Sequence, residues 1–87
     1  MTNEVTALIN RVSSPEDLAR FVEALRKELM GSPESWENLT LPDYLESMSA
    51  WLRDASRSKS SPAHAFLNEA PSWRTFARIM AAASIYE

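Results

Sequence analysis

Residues 36–54 read W-E-N-L-T-L-P-D-Y-L-E-S-M-S-A-W-L-R-D, and their spacing decides the fold. Projected at about 100° per residue from Leu41, the side chains of Leu41, Tyr44, Leu45, Met48, Trp51, Leu52 and Ala55 share one arc of roughly 120°. That is the stripe of a core-facing helix. Asp43, Glu46, Ala50, Arg53 and Asp54 occupy the other side. Thr40 is suited to cap the helix, Pro42 costs no hydrogen bond in a first turn, and Asp43 completes a capping-box pattern. The predicted helix has a heavy apolar face for a core and an acidic face for water or a partner.

Working outward, the N-terminal side repeats this logic. Val5, Leu8, Ile9 and Val12 fall at helical spacing and predict a short first helix within residues 1–13. Ser14 and Pro15 restart the chain as cap and first helical residue, with Glu16 and Asp17 in the first turn. The helix near residues 15–30 aligns Leu18, Phe21, Val22, Leu25 and Leu29, and Gly31 with Pro33 supplies its stop. A single turn near residues 34–38 is expected to deliver Trp36 to the core or to the rim of a groove.

On the C-terminal side, residues 57–61 read as a flexible polar linker inside the domain, and Pro62 opens a short helix toward Glu69. Pro71 and Ser72 begin the last helix, near residues 72–86. It carries Trp73, Phe76, Ala77, Met80 and Ala83 on one side, and its alanines permit close helix approach. The expected architecture is all-α: a compact bundle of four to five helices forming a single domain over residues 1–87, anchored by Phe21, Leu45, Trp51, Trp73 and Phe76.

Composition agrees with this reading. Gly31 is the only glycine, too few turn residues for a meander of strands, and 45% of the residues are hydrophobic, enough for a core in 87 residues. The absence of cysteine excludes disulfides, thiolate metal sites and a thiol nucleophile. The opening M-T-N-E-V is no export signal and no run approaches a membrane span, so a cytoplasmic protein is expected, and the Asn38-Leu39-Thr40 sequon carries no weight.

Charge is distributed unevenly. Residues 1–54 hold ten acids against five bases, and residues 55–87 hold two acids against four bases. Within residues 34–54, Glu34, Glu37, Asp43, Glu46 and Asp54 face Arg53 alone. Nucleic acid is a poor partner for that half, because phosphate binding needs clustered Lys and Arg. A basic protein surface fits it.

No motif for catalysis emerges. His64 is the only histidine, in a loop-like S-S-P-A-H context without further metal donors at fitting spacing. Asp43 and Glu46 lie one turn apart, but acid/base pairs need a cleft and usually arise from different elements, so a solvated helix face is the simpler reading. Trp36, Trp51 and Trp73 read as packing residues rather than a stacking platform. The serines lack the glycines of a nucleophile elbow, and there is neither a glycine-rich phosphate loop nor the Asp-Ser-Leu site of an acyl carrier. Neither enzyme activity, cofactor nor metal is expected.

The pattern Trp36-Glu37-Asn38, Thr40-Leu41, Asp43-Tyr44-Leu45-Glu46, Trp51 and Asp54 resembles a family of small bacterial domains of unknown function. The match resumes at Pro71-Ser72-Trp73, Phe76-Ala77, Ala82 and Tyr86-Glu87, and it lapses between residues 57 and 70. Members of that family look like immunity proteins, partners of polymorphic or contact-delivered toxins. The resemblance implies a one-to-one complex with a basic toxin domain, such as a nuclease of contact-dependent growth inhibition. It carries over no catalytic residues. The expected binding face is Glu34, Glu37, Asp43, Glu46 and Asp54. The alternative expectation is a helical regulatory or scaffold module that docks on another intracellular protein.

Overall fold

The computed structural model describes residues 3–57, 67 and 71–86. Among them the chain forms four α-helices and one 3-10 turn: α1 (Asn3–Ile9), α2 (Pro15–Gly31), the turn Pro33–Ser35, α3 (Leu41–Arg57) and α4 (Trp73–Ile85). The fold is all-α, as the spacing predicts. Arg57 belongs to α3 rather than to the linker expected from that residue. The rest of that linker, the short helix expected after Pro62, and His64 lie outside the described residues.

Local chemistry sets the helix starts. The Ser14 hydroxyl accepts from the Asp17 amide at 3.1 Å, and the Ser72 hydroxyl accepts from the Thr75 amide at 3.1 Å. The Thr40 hydroxyl accepts from the Asp43 amide at 3.3 Å. Each satisfies a donor the helix leaves unpaired. The Asp17 carboxylate accepts from the Ser13 amide and hydroxyl, which together hold its pKa below the ordinary carboxylate value. At the far end of α2, the Ser32 amide closes the last turn on the Glu28 carbonyl at 2.7 Å, and Pro33 then bars continuation. Gly31 stays helical with no positive φ, so it is not the left-handed stop its sequence position suggests.

The core gathers Val5, Ile9, Val12, Phe21, Leu25, Trp36, Ala77 and Ala81, with Leu8, Leu18, Leu29, Tyr44 and Met80 packed around them. Helix α4 lies against the other three. It does so through small residues: Ala77, Ala81, Ala83 and Ser84 are buried. Side chains of that size let helix axes approach closely.

This packing corrects the list of expected anchors. Phe21 is fully enclosed, whereas Trp73, Phe76 and Leu45 are exposed to 41%, 46% and 52%. Trp51 is half-buried. Trp73 and Phe76 sit against one another, with ring centroids 6.1 Å apart, outside the alanine seam. An indole or phenyl ring on the seam would force the helices apart, so the bulky residues of α4 are the ones turned outward.

Candidate functional site

Helix α3 is rolled relative to its apolar stripe. Its buried residues are Ser47 and Ala55, and Tyr44, Met48, Ala50, Trp51 and Leu52 are half-buried. At about 100° per residue this side lies roughly 55° from the centre of the apolar arc. Leu41 and Leu45 are left facing out, at 67% and 52% exposure.

Hydrogen bonds explain the roll. Helix α4 ends without a glycine, so its last carbonyls need donors from elsewhere in the chain. Ser47 donates its hydroxyl to the Tyr86 carbonyl at 2.8 Å, and Tyr44 donates its phenol to the Met80 carbonyl at 2.8 Å. The Asn38 amide group donates to the carbonyls of both Ala83 and Tyr86 at 2.9 Å. The backbone amides of Glu37 and Asn38 both donate to the Ser84 carbonyl. A polar seam thus binds the segment before α3, and α3 itself, to the end of α4. Burying Ser47 to make that seam turns Leu41 and Leu45 away.

The seam also positions the acids. Asp43 and Glu46 line a shallow recess with Asn38, Ser47, Ala50 and Tyr86. Two turns further along α3, the Asp54 carboxylate accepts a hydrogen bond from the Tyr86 phenol. That bond, followed by partial desolvation, raises the Tyr86 pKa above the ordinary phenol value. Glu37 is joined to the same region through its backbone. Glu34 stands apart, in the 3-10 turn that packs on α2. Asp43, Glu46 and Asp54 therefore lie around the end of α4, with Asp54 committed to Tyr86.

Asp43 and Glu46 form no ion pair among the described residues, where the salt bridges are Arg20–Asp17 and Arg26–Glu23. The Asp43 carboxylate makes no return bond to the Thr40 amide, so only half of the expected capping box forms. Beside these carboxylates the carbonyl end of α4 adds partial negative charge. No group of three or more metal-ligating side chains converges among the described residues, and no described helix is long and apolar enough to cross a membrane.

On the other side of α3 from the acidic recess, an apolar groove of about 260 Å³ runs between α2 and the start of α3. Trp36 and Tyr44 lie within it, their rings stacked at 5.6 Å and 25°. Val22, Leu29, Leu39, Leu41 and Met80 are among its walls, and Asn38 borders both the groove and the recess. Of the groove, the sequence signals only Trp36, expected at the core or at the rim of a groove. The apolar arc of α3 assigns Leu41 to the core, against the demand of the glycine-free end of α4 for donors such as Asn38 and Ser47.

The fold defines a small all-α module with a carboxylate-lined recess on one side of α3 and an apolar groove on the other. The chain belongs to a family of unknown function, DUF7660, which it matches over residues 14–87. No curated protein and no solved structure matches it.

Proposed function

We propose that this chain is a non-enzymatic binding module acting as an immunity protein, which neutralises a cognate bacterial toxin by occupying a basic surface on it. The observation that supports this reading is the pair Asp43 and Glu46, unpaired among the described residues and set beside the carbonyl end of α4. A nuclease toxin must keep a basic cleft for phosphate. Carboxylates fixed on a rigid helix meet such a cleft with complementary charge, which accelerates encounter and favours the cognate pair. Holding the acids on α3 rather than on a loop limits the entropy lost on association.

Coexpression with the product of the adjacent upstream gene tests the reading. The expected result is a tight one-to-one complex, together with survival of cells expressing that toxin. Absence of both association and protection would overturn it. A stable complex with an intracellular protein that has no toxic activity would favour a scaffold or regulatory module instead.

A further inference from the structure

We draw no further inference here: the strongest candidate, the apolar groove between α2 and the start of α3 walled by Val22, Leu29, Trp36, Leu39, Leu41 and Met80, carries nothing because nothing in the structure shows what covers it.

Discussion

The indole N–H of Trp36 donates a 2.7 Å hydrogen bond to the carboxylate of Glu28, and both residues are buried. The bond ties the chain after the 3-10 turn to the last turns of α2, and so sets where α3 begins. A buried carboxylate that loses a donor incurs a desolvation penalty, typically ~1–3 kcal/mol and more for charged groups.

Trp36→Phe keeps a ring to stack on Tyr44 but removes that N–H. It is expected to lower unfolding free energy by about 1–3 kcal/mol in urea denaturation. Coupling with Glu28→Gln in a double-mutant cycle should be clearly non-zero. Additive effects would show that the indole N–H contributes little to holding the carboxylate.

The rolled α3 and the alanine seam of α4 yield a ranking of aromatic and leucine substitutions. Phe21→Ala empties a fully enclosed site and should cost about 3–5 kcal/mol. Phe76→Ala, at an exposed ring, should cost far less, and Leu45→Ser should fall within about 0.5–1 kcal/mol of the parent. Denaturation midpoints with an unchanged slope provide the ranking. A Leu45 variant as damaging as Phe21→Ala would restore Leu45 to the core.

The limits of the helices were legible because capping and stop residues act locally. The side-chain oxygens of Ser14, Thr40 and Ser72 accept from helix-start amides, Pro15 is the first residue of α2, and α2, α3 and α4 fall close to the spans their periodicity predicts. Which face of α3 is buried was not legible. Periodicity weighs apolar area, and by that measure Leu41 and Leu45 outrank Ser47. The deciding demand is nonlocal: the carbonyls at the end of α4 need Asn38 and Ser47, across sequence separations of 39 to 48 residues. The acids were legible as a group from charge alone, but only the folded chain divides them into Asp43 and Glu46, unpaired among the described residues, and Asp54, held by Tyr86.

Gly31 tests the reading of the α2 terminus. Its φ is not positive, and a Cβ placed on it meets nothing within 4 Å. Gly31→Ala should therefore raise stability by about 0.4–1 kcal/mol, by restricting the unfolded chain. A fall in thermal midpoint would mean that the terminus needs glycine's freedom after all.

Alkaline stability should report on Tyr44. Burial pushes its phenol from 10.0 up to about 12. The unfolded chain then releases the proton at lower pH than the folded one, so the folded state binds more protons between those values. Stability from this group is complete below about pH 10 and is lost as pH rises through about 12. Tyr86 acts in the same direction, since its bond to Asp54 also favours the neutral phenol. Denaturant titrations from pH 9 upward should show a decline that is shallower in Tyr44→Phe. A decline of equal slope in that variant would place its origin elsewhere.

Reversal of charge at Asp43 and Glu46 is the direct test of the acidic face. Both side chains are exposed and off the buried side of α3, so Asp43→Lys/Glu46→Lys should leave most of the fold intact, with the lost acid near the helix start costing about 0.3–1 kcal/mol. Against a basic toxin, the variant should associate more slowly, with the largest loss at low ionic strength and a smaller one as salt screens the charges. Protection in cells should fail with it. The matched control places substitutions across residues 57–70, including His64. If the charge reversal leaves association rate and protection unchanged while the control abolishes both, the toxin docks on that segment and the carboxylates of α3 serve solubility alone.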